Sequence, residues 1–214
     1  LKDKLRITEI FYSLQGETKT IGLPTAFVRL TGCPLRCQYC DSAYAFQGGQ
    51  LYSIDEVLQQ LEGYQARYVT VTGGEPLTQP LCFELLERLC DLGYEVSLET
   101  SGALDVSRVD RRVTKILDLK TPGSREVDRN LYENINYLFS HDQVKFVICD
   151  RSDYEWAKDL IMARELVQKC DVLFSPSHEQ LENKLLADWI IEDNLPVRFQ
   201  LQLHKYVWGD IPGV

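Results

Sequence analysis

Residues 32–44 read GCPLRCQYCDSAY and put Cys33, Cys37 and Cys40 on one short stretch. Thiolates are soft ligands that suit zinc or iron–sulfur clusters. Gaps of three and two residues let a single loop wrap all three around a compact metal centre. A closed structural zinc site takes four ligands, normally arriving in pairs. Spacing alone therefore leaves three readings open. One is a [4Fe–4S] cluster with an iron free of protein ligands, which can bind a substrate or cofactor directly. The second is a zinc ion completed by a distant group such as His204 or another cysteine, and the third is three unrelated thiols. The other cysteines, Cys82, Cys90, Cys149 and Cys170, are scattered and read as small packing residues.

The elements that must position such a loop are legible around it. Short β-rich runs occur at 26–30, 68–73, 95–100, 115–121, 143–149, 171–177 and 197–203. Most are separated by amphipathic stretches. Ser53 to Glu56 forms a capping box ahead of IDEVLQQLEG, and Ser177 to Gln180 could open a second helix in the same way. Asp153 is a candidate N-cap for YEWAKDLIMARELVQK. Strand–helix alternation predicts an α/β fold on a mostly parallel sheet. A complete eight-stranded barrel needs about 250 residues, and this chain has room for about six repeats. The expected architecture is an incomplete, open (β/α) barrel in one domain, 1–214.

In such folds reactive groups collect beyond the carboxyl ends of the strands. Cys33 follows the first run, and Gly73-Gly74-Glu75-Pro76 closes the second. Thr100-Ser101-Gly102, Lys120, Ser175-Pro176-Ser177 and His204-Lys205 end four others. Six polar clusters at strand ends predict one shared rim. Read singly, each has a plainer meaning. GlyGlyGluPro is an ordinary turn, Gln15 and Glu17 are turn residues, Arg29 is an exposed strand charge, and His204 is a structural histidine. His141 falls in a loop without a role.

With 214 residues and a net charge of −9, the chain is ill suited to grip nucleic acid or an anionic membrane non-specifically. No apolar run is long enough to span a bilayer and no signal-like segment opens the sequence, so cytoplasm is the expected setting.

Taken together, the cysteine loop with an aromatic before its last cysteine, and GlyGlyGluPro at the next strand end, resemble the signatures of the radical S-adenosylmethionine (SAM) enzymes. A longer set resembles the 7-carboxy-7-deazaguanine synthase family within them. It comprises Leu14-Gln15-Gly16-Glu17, Arg29, Asp41-Ser42, Thr72, Glu99-Thr100-Ser101-Gly102, Asp118-Leu119-Lys120 and Gln200 to Lys205. The resemblance implies that Cys33, Cys37 and Cys40 hold a [4Fe–4S] cluster whose open iron chelates SAM. A 5′-deoxyadenosyl radical then takes hydrogen from 6-carboxy-5,6,7,8-tetrahydropterin, the ring contracts, ammonia leaves and SAM is regenerated. It places Tyr39, Asp41, Gly74, Glu75, Ser101, Asp118, Lys120, Ser175, Pro176, Ser177 and His178 near SAM. Leu14, Gln15, Gly16, Glu17, Arg29, Thr72, His204 and Val214 are placed near the pterin.

These assignments make chemical sense. Glycines permit close backbone approach, and Glu75 could accept from an ammonium. Arg29 could pair bidentately with the substrate carboxylate. Ser42 stands where the family commonly has a hydroxyl residue, often Thr; its oxygen suits magnesium. The apolar end, Trp208 to Val214, is expected to fold over the pocket as a lid, and removing Pro212 to Val214 should then raise KM. By the same resemblance a flavodoxin or ferredoxin supplies electrons and the chain forms a homodimer. Two rivals stand beside this reading. One is a radical-generating activase acting on a protein partner, and the other is a non-catalytic zinc or iron–sulfur module.

Overall fold

The computed structural model describes residues 3–209, 211 and 213. A nine-stranded sheet runs through it in the order β3-β1-β2-β4-β5-β6-β7-β8-β9. The strands are β1 (Leu5–Leu14), β2 (Pro24–Leu30), β3 (Gln50–Tyr52), β4 (Tyr68–Gly73), β5 (Glu95–Thr100), β6 (Thr114–Asp118), β7 (Gln143–Ile148), β8 (Asp171–Pro176) and β9 (Arg198–Phe199). From β2 to β9 all neighbours pair in parallel, whereas β1 pairs antiparallel with both β2 and β3. The sheet has two free edges, so the barrel is open, as expected. All seven predicted strands are present; β1 and β3 were not foreseen.

Helices cover one face: α1 (Ile54–Glu62), α2 (Leu81–Asp91), α3 (Arg151–Ala163), α4 (Leu166–Lys169) and α5 (Asn183–Glu192), with α6 (Leu203–Trp208) at the far end. The parallel strands read as alternating patterns with both faces occupied. Val69 and Val71 of β4, Leu98 of β5 and Val144, Phe146 and Ile148 of β7 are fully buried in the helix-side core. Their neighbours Thr70, Thr72, Glu99, Lys145 and Val147 take the other face. That second face becomes the barrel interior. Two crossovers carry no α-helix: β5 to β6 is irregular, and β6 to β7 holds only 3-10 turns. Among the described residues, no helix is long and apolar enough to cross a membrane.

Helix boundaries correct three expectations. The capping box at Ser53 forms in full, with Glu56 N donating to Ser53 Oγ and Ser53 N to Glu56 Oε2. Ser53→Ala is expected to cost about 1 kcal/mol of stability, read as a lower urea midpoint; an unchanged midpoint would count against the cap. Ser177 starts no helix: its hydroxyl and Gln180 form a local turn, and α5 begins only at Asn183. Asp150, not Asp153, caps α3, accepting from Asp153 N at 2.9 Å. Asp153 is instead buried and clamps the 121–123 loop through Thr121 Oγ1 and Gly123 N. The expected long helix breaks at Glu165, which adopts φ 52°, separating α3 from α4.

The run at 197–203 is a strand for only two residues. After Gln200 N donates to Phe174 O at 2.9 Å, the chain leaves the edge, and Leu203 N donates to Gly16 O at 3.0 Å. His204 and Lys205 therefore ride on α6, not on a strand end. Cys82 and Cys170 are buried as expected, and Cys90 packs against the core.

Candidate active site

A cavity of about 450 Å³ opens where the parallel strands end, a size typical of small-molecule sites. Cys33, Cys37 and Cys40 form one wall, joined by Tyr39, Asp118 and Lys120. The cysteine loop is fixed by backbone. Gly74 N donates to Leu30 O at 3.1 Å and Glu75 N to Gly32 O at 2.7 Å. A Cβ on Gly74 would sit 2.3 Å from Gly32 O and 2.8 Å from Cys33 Cβ, so only glycine lets the two loops touch. Arg36 adds bonds to the carbonyls of Cys33 and Leu35 at 2.8 and 2.6 Å.

These residues fit an iron–sulfur cluster. Three soft thiols share one short loop at the cavity wall with the Lys120 cation beside them, a donor set that would leave one cluster iron open to a further ligand. Burial raises all three thiols, Cys37 to about 11, while Lys120 opposes the rise. Lys120 pairs with Asp118 at 3.1 Å and lies 5.9 Å from the Tyr39 ring centre. Burial of Lys120 disfavours its charge, yet Asp118, Tyr39 and Cys37 outweigh that and raise it. The Tyr39 hydroxyl is buried without a hydrogen-bond partner among the described residues. A polar group so placed has a ligand to find.

Glu75 does not reach the cavity. It is fully buried and both oxygens are occupied: Leu77 N and Thr100 Oγ1 donate to Oε1, and Ser101 N and Ser101 Oγ to Oε2. Its carboxylate ties the loop after β4 to the turn after β5, leaving Gly74 and Ser101 at the cavity wall. Ser175, Pro176, Ser177 and the exposed His178 line the same side.

The opposite wall is built from β1, β2, β5, β7 and α6. Gln15 is buried with its amide committed, donating to Thr70 Oγ1 at 3.1 Å and Glu99 Oε1 at 3.2 Å while accepting from Glu17 N at 3.0 Å. Glu17 pairs with Lys145 and accepts from Gln202 Nε2 at 2.9 Å. Gln202 also donates to Asp41 Oδ2 at 2.9 Å, so α6 bridges to the cysteine loop. A Cβ on Gly16 would strike His204 Nδ1 at 2.5 Å, which is how α6 can lie directly on residues 15–17. Thr72 Oγ1 donates to Glu99 Oε2 at 2.9 Å. Leu14, Arg29, His204, Ile211 and Gly213 complete the wall. The last two bring the end of the chain to the cavity, in line with the expected lid; Val214 and Pro212 lie outside the described residues.

The charges here are split by their surroundings. Burial of Glu17 favours its neutral form, but Lys145 outweighs this and the carboxyl is held below its ordinary range. Glu99 is raised, by burial first and by Glu17 second. Asp41 is lowered: its burial penalty is overcome by Lys205, 3.2 Å away, and by bonds from Ser42 and Gln202. Ser42 Oγ donates to Asp41 Oδ1 at 2.8 Å, an oxygen-rich pair suited to magnesium.

Glu9 and Lys145 brace or line the site yet were not singled out in the sequence, and Glu99 and Gln202, which carried part of the resemblance, were given no role there. Lys145 had a signal: in QVKFVIC it alternates with Val144, Phe146 and Ile148, a charge at an inward strand position. Glu9 had none, because β1 itself was not foreseen.

A protein-family model of the Radical SAM superfamily matches residues 27–161. The 7-carboxy-7-deazaguanine synthase of Chlorobaculum tepidum is 46% identical, covering 98% of this chain and 97% of its own. The chain belongs to the 7-carboxy-7-deazaguanine synthase family of radical SAM enzymes. The family member of Koribacter versatilis is 42% identical over 95% of this chain and 97% of its own. A crystal structure of QueE from Escherichia coli shares the fold, with a TM-score of 0.78 at 24% identity over 94% of this chain and 95% of that one. Streptococcus suis SuiB bound to S-adenosylmethionine shares it more distantly, with a TM-score of 0.56 at 15% identity over 83% of this chain and 47% of SuiB. Family membership favours the iron–sulfur reading of the cysteines over zinc, and an enzyme over a carrier module.

Proposed function

We propose that the chain converts 6-carboxy-5,6,7,8-tetrahydropterin to 7-carboxy-7-deazaguanine with loss of ammonia, as one radical SAM domain, 1–214. The observation that carries this reading is the single cavity with a thiol wall facing a wall of Glu17, Arg29, Thr72 and His204. A planar, donor-rich heterocycle with a carboxylate matches that second wall, and a protein partner of the activase kind does not.

Cys33, Cys37 and Cys40 hold the [4Fe–4S] cluster. Bound there, cluster and SAM supply one-electron hydrogen-abstraction chemistry. The chain orients both ligands and excludes water. Tyr39, Asp41, Gly74, Ser101, Asp118, Lys120 and the Ser175, Pro176, Ser177 and His178 stretch border SAM, with Glu75 acting through the loops it joins. Glu17 accepts from the pterin's amino edge while Lys145 keeps it ionised. Gln15 and Gly16 hold Glu17 and His204 in place, Leu14 and Thr72 pack at the ring, and Arg29 takes the carboxylate. By the family resemblance, Val214 is also counted among the pterin contacts. Ser42 Oγ offers magnesium an oxygen ligand beside Asp41.

The same reading carries a cytoplasmic homodimer reduced by a flavodoxin or ferredoxin. Ser42→Ala is expected to keep the cluster's visible absorption while lowering turnover at least tenfold at limiting magnesium; full, metal-independent activity would remove Ser42 from the site. The experiment that tests the function supplies reduced, iron-loaded protein with SAM, Mg2+ and the carboxypterin under anaerobic conditions. Formation of 7-carboxy-7-deazaguanine is the expected result. SAM cleavage without it would leave the superfamily and no more.

A further inference from the structure

Glu9 reaches the site because of a defect in the sheet. The β1–β2 register shifts between Ile7, which pairs with Leu30, and Glu9, which pairs with Arg29. Thr8 is the extra residue of this bulge, and its hydroxyl lies 2.7 Å from that of Thr31. A bulge re-aims the side chains that follow it. Before it, Leu5 and Ile7 are buried in the helix-side core; after it, Ile10 packs on that core and Phe11 lines the cavity. Without the extra residue the parity of β1 would reverse, and Glu9 would not share a face with Arg29.

In the register observed, Glu9 Oε1 accepts from Arg29 Nε at 2.7 Å and from Tyr44 OH at 2.8 Å. The pair is largely withdrawn from water, with side-chain exposures of 16% for Arg29 and 21% for Glu9. The guanidinium carbon lies 5.9 Å from the Phe11 ring centre and 5.8 Å from that of Tyr44. Among the described residues, neither Nη group of Arg29 has a hydrogen-bond partner. An arginine held at Nε and along its rings retains one free edge, the one formed by the two Nη groups.

We propose that Glu9 is a positioning residue that presents Arg29 end-on, through Nη1 and Nη2, to the substrate carboxylate, and so sets selectivity for a carboxylated pterin. This rests on the reading of Arg29 given above. Without Glu9 the guanidinium is free to turn toward Glu99, whose charge already acts on it, and the fork is lost. The orienting contact needs an acceptor oxygen at this position, not a charge.

The test uses cluster-loaded, SAM-saturated protein and compares dissociation constants for 6-carboxytetrahydropterin and its 6-carboxamide. Glu9→Ala is expected to lower the preference for the carboxylate about tenfold, the worth of one bidentate contact at about 1.4 kcal/mol. Carboxamide binding should hold, while the melting temperature should fall because Arg29 stays largely buried and loses its partner. Glu9→Gln keeps an acceptor for Nε and should stay within about threefold of the parent preference. An unchanged preference in Glu9→Ala overturns the proposal, as does an equal loss for both ligands or a Glu9→Gln as poor as Glu9→Ala. Arg29→Ala serves as the reference: if it too keeps the preference, Arg29 does not read the carboxylate, and the failure lies in that assignment.

Discussion

Glu75→Ala is expected to abolish turnover and to lower the unfolding free energy by about 3 kcal/mol, although Glu75 lines no part of the cavity. Its carboxylate collects donors from Leu77, Thr100 and Ser101 in a fully buried position. Charge-assisted bonds of this kind are worth about 1.5–3 kcal/mol each, and orphaned buried donors cost more than the bonds return. The loops after β4 and β5 would then lose their common anchor, and with it the placement of Gly74 and Ser101. Denaturant unfolding and SAM binding measure the two halves of this expectation. Wild-type stability with wild-type SAM affinity would show that the backbone alone holds the loops. Glu75→Gln, which keeps one acceptor and gains an unmatched donor, should fall between.

Lys145→Met is the second large effect. Lys145 is a buried cation with its pKa raised, because Glu17, Asp118 and Glu99 outweigh the burial that would lower it. Removing it leaves Glu17 and Glu99 facing each other with only the weaker influence of His204 on the first and Arg29 on the second, at a cost of about 3–5 kcal/mol for a broken buried pair. The sign with pH follows from the two carboxyls. Glu17 sits below its ordinary 4.5, so its pairing stabilises the fold above that value and is lost as pH falls. Glu99 sits above 4.5, so its contribution is full below that value and fades as pH rises through the folded pKa. In the variant both carboxyls shift upward. The stability deficit should therefore be largest at neutral and alkaline pH and shrink toward pH 4.5. The acid limb of kcat/KM should move up as well, with a loss of at least about 100-fold near neutrality. A uniform deficit at all pH values would assign Lys145 a packing role.

Much of this site could be read before the fold was known, since strand ends declare themselves by β-branched runs stopped by Gly, Ser or Lys. Cys33, Gly74, Ser101 and Lys120 were found this way and meet at one cavity. What escaped depended on pairing. β1 reads as an unpatterned run because the bulge at Thr8 breaks its alternation, so Glu9 had no assigned face. His204 and Lys205 were placed at a strand end since VRFQLQL alternates, yet an edge with one neighbour is held for only two residues before α6 docks on Gly16. Glu75 was taken for a ligand contact because sequence cannot show that Thr100 and Ser101, a strand away, already saturate it. The helix starts at Ser177 and Asp153 failed for a local reason: a cap-like residue also makes turns and clamps, and only tertiary packing decides which.

If one cavity holds SAM and the carboxypterin together, shielded from water, the cofactor is used and restored within each turnover. The most direct measurement runs the anaerobic, reduced enzyme with SAM limiting and the pterin in excess, and counts products. More 7-carboxy-7-deazaguanine than SAM supplied is the expected result, with one ammonia for each deazaguanine and little methionine. Product capped at the amount of SAM, with methionine accumulating in step, would contradict it.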